Sequence, residues 1–267
     1  MSKPVPRALT IAGSDSGGGA GIQADIKTFT AFGVYGMSVI TSITAQNTQS
    51  VLAISDLAPD FIELQIDAVI TDIGADAAKT GMLSNKGIIS SVAKKIRQYK
   101  IEKLVVDPVM RAKGGDVLLI KEAERTLIDE LLPLAYIITP NLPEAEALTV
   151  KKIKSLDDMK DASTQIFSLG PRNVLIKGGH LDWSPQAIDI LYDGKEFYEF
   201  SAPRINTKNT HGTGCTYSAA ICAGLAKGKG LMDAIKDAKD YVTQAIRYSY
   251  ALGKGHGPLN HSWKLES

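Results

Sequence analysis

The 267 residues, 44% of them hydrophobic and 22% charged, suit one large soluble α/β domain spanning 1–267, and nothing in their order calls for a second. Thirty Lys plus Arg against 29 Asp plus Glu leave a formal charge of +1, with no basic surplus to argue for nucleic acid or an anionic membrane. The opening seven residues lack an apolar core of signal-peptide length and no run is long enough to cross a bilayer, so the cytoplasm is the expected location.

In chain order, short β-branched runs alternate with amphipathic stretches. A strand is predicted over 7–12, then a helix over 21–32 with Ile22, Ile26 and Phe29 on one face and Gly33 closing it. A strand over 37–45 precedes a helix over 59–73, opened by its proline, with Phe61, Leu64 and Ala68 as its apolar stripe. Ser84 is expected to cap a helix carrying Ile88, Val92 and Ile96. A strand over 104–107, a helix over 121–132 and a strand over 136–139 follow, then a helix over 156–169 and a strand over 173–177. Residues 187–192 and 195–201 read as a hairpin turned by Asp193 and Gly194. Two last helices cover 214–226 and 231–252. The alternation argues a mainly parallel central sheet with helices on both faces.

Irregular Gly-rich pieces fall after strands, where open α/β sheets bind their ligands. Residues 206–216 (Asn-Thr-Lys-Asn-Thr-His-Gly-Thr-Gly-Cys-Thr) run straight into a helix. A helix start offers unpaired backbone N–H groups and the positive end of the macrodipole, a cradle for negative charge, and Cys215 sits where a thiolate is expected to be favoured. The plain alternative is a helix cap beside a small buried residue. Residues 13–21 form a Gly-rich turn that is neither a Walker loop nor a dinucleotide fingerprint, with Asp25 one turn into the next helix. Asp107, Asn141 and Glu144 put two carboxylates and an amide just past two strands. Each alone reads as a turn former or first-turn residue; beside a phosphate cradle they suggest magnesium, which takes oxygen ligands. Lys177 ends an apolar strand ahead of two glycines, and Lys113 belongs to an expected mobile flap. Residues 253–257 (Gly-Lys-Gly-His-Gly) imitate a phosphate loop but follow no strand, so they read as a helix end running into a tail. His180, His211, His256 and His261 lack metal spacing, and Trp183 and Trp263 read as packing or surface residues. Cys215 and Cys222, seven apart on one expected helix, are too distant for a disulfide and lack zinc-finger spacing.

Several long words in this order resemble the hydroxymethylpyrimidine and phosphomethylpyrimidine kinases of thiamine biosynthesis, within the ribokinase-like superfamily. They are Gly-Ala-Gly-Ile-Gln-Ala-Asp from 19, Ala-Gln-Asn-Thr from 45, Lys-Thr-Gly-Met from 79, Asp-Pro-Val-Met from 107, Thr-Pro-Asn-Leu-Pro-Glu from 139, and Lys-Asn-Thr-His-Gly-Thr-Gly-Cys from 208. The resemblance covers nearly the whole chain. It implies a three-layer α/β/α fold and an ATP-dependent kinase that phosphorylates the hydroxymethyl group of the pyrimidine and then the resulting monophosphate. Carried onto matching positions, it implies a pyrimidine pocket of Gly13, Ala20, Asp25, Gln46, Met82 and Val109. On the nucleotide side it implies Lys177, Thr210 and Gly212, with Asp107, Asn141 and Glu144 around magnesium. Gly212, Thr213, Gly214 and Cys215 would form the anion hole, with Cys215 in the place where the superfamily's sugar kinases carry an aspartate base. Family members are commonly homodimers, and a monovalent cation stays open. Some relatives act on pyridoxal and carry a second cysteine in the flap, where this chain has Arg111, Ala112 and Lys113. A vitamin-B6 kinase and a non-catalytic pyrimidine-binding domain therefore stay open as alternatives.

Overall fold

The computed structural model describes residues 4–112, 114–179 and 184–265. Lys113 of the expected flap, with His180 and Trp183, lies outside the described residues. The order is β1 (Arg7–Asp15), α1 (Gly21–Ala31), β2 (Tyr35–Gln46), β3 (Val51–Asp56), α2 (Pro59–Asp72), β4 (Ala77–Thr80) and α3 (Lys86–Gln98). Then come β5 (Leu104–Val106), α4 (Lys121–Thr126), β6 (Ile137–Ile138), α5 (Leu142–Thr149), α6 (Leu156–Phe167) and β7 (Val174–Ile176). The chain closes with β8 (Gln186–Tyr192), β9 (Phe197–Pro203), α7 (Thr213–Ala226) and α8 (Leu231–Arg247).

All nine strands form one sheet in the order β3-β2-β1-β4-β5-β6-β7-β8-β9. The neighbours from β2 to β7 pair in parallel, and β3, β8 and β9 add antiparallel edges. Successive strand residues feed opposite layers, as the two-residue period requires. Leu9, Ile11, Leu104, Val106, Ile138, Val174 and Ile176 pack with Ile62, Ile66 and Val92, from α2 and α3, on one face. Ala8, Val105, Ile137 and Leu175 pack with Phe29, Ala219 and Ala238, from α1, α7 and α8, on the other. Each fully buried Leu or Ile contributes about 1.5–3 kcal/mol, so both layers are strongly specified. The expected three-layer α/β/α architecture is the observed one.

Local chemistry revises several boundaries. In α2 the buried stripe is Ile62 and Ile66, while Phe61 and Leu64 face outward, so the predicted stripe lies on the wrong side. Asn85, not Ser84, caps α3 by accepting the Ile88 N–H. The helix expected through 132 ends at Thr126 and widens into a π turn over Leu127–Leu131, because Pro133 has no N–H to continue the ladder. The β8–β9 turn has four residues, 193–196, with Asp193 Oδ1 accepting the N–H groups of Lys195 and Glu196. Strands β3 and β4 and the full extent of α5 escape the sequence patterns. One is an exposed edge, one is four residues long, and α5 has only eight. Helix α8 stops at Arg247 rather than 252, and residues 253–257 are a packed brace, not a tail. Gly253 adopts φ +74° where any Cβ would strike Thr48, the His256 N–H donates to Thr48 O, and the His211 N–H donates to Gly257 O.

Candidate active site

The C-terminal ends of the parallel strands carry the chemistry. Strand β1 runs on past the predicted end through Gly13, with a register shift between Ala12 and Ser14, so that Asp15 opens the Gly-rich turn. The Asp15 carboxylate accepts the N–H groups of Gly17, Gly19 and Ala20, and bonds His211 Nε2 at 2.9 Å. Burial opposes that charge, but His211 and the backbone donors outweigh it and hold the carboxyl below the ordinary aspartate range. One buried side chain thus ties the first turn to the loop before α7. The contact is tighter still at Gly212, which caps α7 at φ +83° with its backbone against Gly19 O, where no Cβ fits.

Helix α7 starts at Thr213, so the residues expected to cradle phosphate, Gly212 to Cys215, stand at its N-terminal end. Thr213 Oγ1 donates to Thr210 O, shaping the loop. A Cβ built on Gly214 would lie 3.3 Å from Lys177 Nζ and 3.8 Å from Asp107 Oδ2, so the helix start, the lysine and the aspartate converge on one spot. Lys177 bonds Asp107 Oδ1 at 2.8 Å; Thr139 and Ser218 donate to the two Asp107 oxygens at 3.3 and 3.2 Å. Burial opposes ionisation of Asp107, but Lys177 and Lys79 outweigh it and lower its pKa. Asn141 and Glu144 form a reciprocal capping box on α5, the Asn141 side chain accepting the Glu144 N–H and Glu144 Oε2 accepting the Asn141 N–H. Burial pushes Glu144 up to about 7, against the pull of Lys177.

The residues expected to line the pyrimidine pocket lie on β1, α1, β2 and the segments after β4 and β5. A Cβ on Gly13 would meet Met82 Sδ at 3.1 Å. Ala20 caps α1, Asp25 lies fully buried one turn in, and half-buried Val109 follows Asp107 past β5. Gln46 joins the Gly-rich turn through Thr44, whose hydroxyl contacts Ser14 O and Gln46 Oε1, and through Ser16, which donates to Gln46 O. Cys215 is free and half-buried, and its thiol senses Lys79, Asp25 and Asp107. Burial pushes that thiol up to about 11, with Lys79 pulling the other way. The thiolate expected from the helix start alone is therefore not the resting form, because desolvation outweighs the dipole.

Four residues here carried no assignment from the sequence: Asp15, Lys79, Asp189 and His211. Asp189 accepts from Gly178 N–H, Tyr217 and Lys239, fixing the residue after Lys177 to α7 and α8. A lone acid ahead of a glycine run and a lone lysine inside an apolar strand were the available signals for Asp15 and Lys79. Among the described residues, no cluster of three or more His, Cys, Asp or Glu forms a metal cage, and no helix is long and apolar enough to cross a membrane.

Known proteins match this arrangement along nearly its whole length. The chain is 51% identical over 255 residues to the hydroxymethylpyrimidine/phosphomethylpyrimidine kinase of Bacillus subtilis, covering 96% of this chain and 94% of that one. It is 52% identical over 260 residues to a thiamine biosynthesis bifunctional protein of Geobacter sulfurreducens, covering 97% of this chain but only 53% of that longer one. The ADP complex of Bacillus subtilis pyridoxal kinase superposes with a TM-score of 0.92 at 42% identity, over 99% of this chain and 100% of that one. The family model for phosphomethylpyrimidine kinase matches residues 15–260, and the chain belongs to that family.

Proposed function

We propose that this chain is an ATP-dependent kinase that phosphorylates 4-amino-5-hydroxymethyl-2-methylpyrimidine and then its monophosphate, supplying the diphosphate used in thiamine biosynthesis. The observation that carries the reading is the convergence of the α7 N-terminus, Lys177 and Asp107 beside the Asp25, Met82 and Gly13 pocket. Transfer of this kind relies on positioning and charge stabilisation rather than covalent chemistry.

The backbone N–H groups at Gly212, Thr213, Gly214 and Cys215 would hold the transferring phosphoryl group, with Lys177 and Thr210 on the ATP side. Gln46 offers a paired donor and acceptor to the pyrimidine edge, and Met82 and Val109 supply apolar contact. The minor thiolate form of Cys215 would take the proton of the hydroxymethyl group in the first step. The second acceptor needs no such help, because a phosphate monoester is already largely ionised near neutrality. The Asp107 and Glu144 carboxylates beside Lys177 offer oxygen, the type magnesium accepts, and would hold the ion together with water and phosphate oxygens. Magnesium there would neutralise charge on the phosphates. Asn141 serves that arrangement by fixing Glu144 through the capping box.

One domain is supported by the single sheet, and a cytoplasmic setting by the two free thiols. A homodimer is supported by the edge strand β3, where Leu52 and Ile54 are exposed. Leu52→Lys is expected to shift the protein to monomer in sedimentation; an unchanged profile would remove that edge as the interface.

The direct test is ADP release with magnesium-ATP on the hydroxymethylpyrimidine, its monophosphate and pyridoxal. Turnover on the monophosphate supports the proposal. Turnover on pyridoxal alone would replace it with vitamin-B6 salvage, the reading favoured by the pyridoxal kinase superposition. Silence on all three would leave a binding domain.

A further inference from the structure

Lys79 takes no part in the scheme above, yet it is among the largest fully buried side chains in the molecule. It stands on β4, between β1 and β5 in the middle of the sheet. Its Nζ lies 2.9 Å from Asp25 Oδ2, both side chains completely sealed from solvent. Thr10 Oγ1 donates to the same Asp25 oxygen at 2.6 Å. Asp25 Oδ1 is equally buried and has no hydrogen-bond partner.

That asymmetry is informative. A sealed ion pair is weak grounds for stability, since apolar residues of the same volume often serve as well. A buried carboxylate oxygen with no donor is costlier still. Two donors crowd one oxygen while the other waits. The pair borders the proposed pocket: a Cβ on Gly81 would lie 3.0 Å from Lys79 Nζ, and the next residue, Met82, has its Sδ 3.1 Å from a Cβ on Gly13. Burial opposes the charge on Lys79, but Asp25 with Cys215 and Asp107 outweighs it, so the ammonium is secure.

We infer that Lys79 is a positioning residue for the small-molecule acceptor: together with Thr10 it grips Asp25 Oδ2, leaving Oδ1 as a fixed hydrogen-bonding partner for the pyrimidine. Lys79 touches neither substrate and acts only through Asp25. The inference rests on the pyrimidine pocket proposed above.

The test measures equilibrium binding of the aminopyrimidine and, separately, of a non-hydrolysable ATP analogue, by calorimetry. Wild type is compared with Asp25→Asn, Lys79→Met and the Asp25→Asn/Lys79→Met double variant. The double variant removes both buried charges at once, so it keeps the test alive should Lys79→Met alone fail to fold. Asp25→Asn and the double variant are expected to bind the pyrimidine equally, within about twofold, and each roughly tenfold or more weaker than wild type. Folded Lys79→Met is expected to show the same loss, and ATP-analogue affinity is expected to stay within about threefold throughout. A double variant about tenfold weaker than Asp25→Asn, or parallel loss of nucleotide binding, would overturn the inference while leaving the pocket reading intact. Wild type that binds the nucleotide but no pyrimidine would overturn both.

Discussion

Two aspartate–lysine pairs, with their lysines on β4 and just past β7, are almost identical in length but differ in depth and in how fully the carboxylate is bonded. Asp25–Lys79 measures 2.9 Å and is entirely enclosed, with one carboxylate oxygen unbonded. Asp107–Lys177 measures 2.8 Å, keeps 11% of the lysine side chain accessible, and has both carboxylate oxygens bonded. The first pair is a fixed strut, because separating it would strand two charges where water cannot reach. On the proposed scheme the second would be exchangeable: an arriving phosphate would take Lys177, and a cation would take Asp107. Depth, not chemistry, separates the two roles. The Cys215 thiol is close enough to couple electrostatically to both lysines.

The sharpest way to probe that division is at the thiol. Cys215→Ser is expected to slow phosphorylation of the hydroxymethyl group by about 10²–10⁴-fold, the span of general-base effects, and the monophosphate step by no more than about tenfold. Equal losses on both acceptors, in steady-state rates, would show that Cys215 positions rather than deprotonates.

Lys177→Met is expected to lower kcat/KM for ATP by about 10²–10³-fold while leaving pyrimidine affinity nearly unchanged. A comparable loss of pyrimidine affinity would erase the contrast between the two pairs. The same variant strands Asp107 without its main partner, which would cost about 3–5 kcal/mol of stability by denaturant unfolding.

Because burial pushes the Cys215 thiol up to about 11, its reactive thiolate is scarce at neutrality and grows with pH. The first step is therefore expected to accelerate from pH 7 to pH 9, by up to about tenfold per unit, with Cys215→Ser flattening the profile. A flat wild-type profile would remove the thiol as base.

The smallest effect lies behind α7, where His261 Nε2 meets Thr216 Oγ1 at 2.9 Å. Burial lowers His261 from 6.5 to about 4, so the folded protein holds it neutral while the unfolded chain protonates near 6.5. That contribution is complete above about pH 6.5 and is lost as pH falls toward 4, up to about 3 kcal/mol. His261→Gln is expected to show a smaller fall in Tm between pH 7 and pH 5 than wild type; identical falls would place the acid sensitivity elsewhere.

The sequence by itself determined the layered α/β plan, because alternating β-branched runs and amphipathic stretches can bury their apolar faces in few other ways. It also marked the glycine-led start of α7, since glycines followed by a helix carry their meaning locally. Much less was legible wherever a side chain's partner lies far along the chain. Asp15 finds His211 across 196 positions and Lys79 finds Asp25 across 54, distances no periodicity reports. The brace at residues 253–257 looked like a loose end because its anchor, Thr48, is 207 positions from Gly255. The state of Cys215 was misread for the same reason. A helix start favours a thiolate, but only the assembled layers reveal that the thiol is desolvated and that a buried ammonium works against that desolvation. Local order wrote the elements; burial, which exists only once they pack, decided the charges.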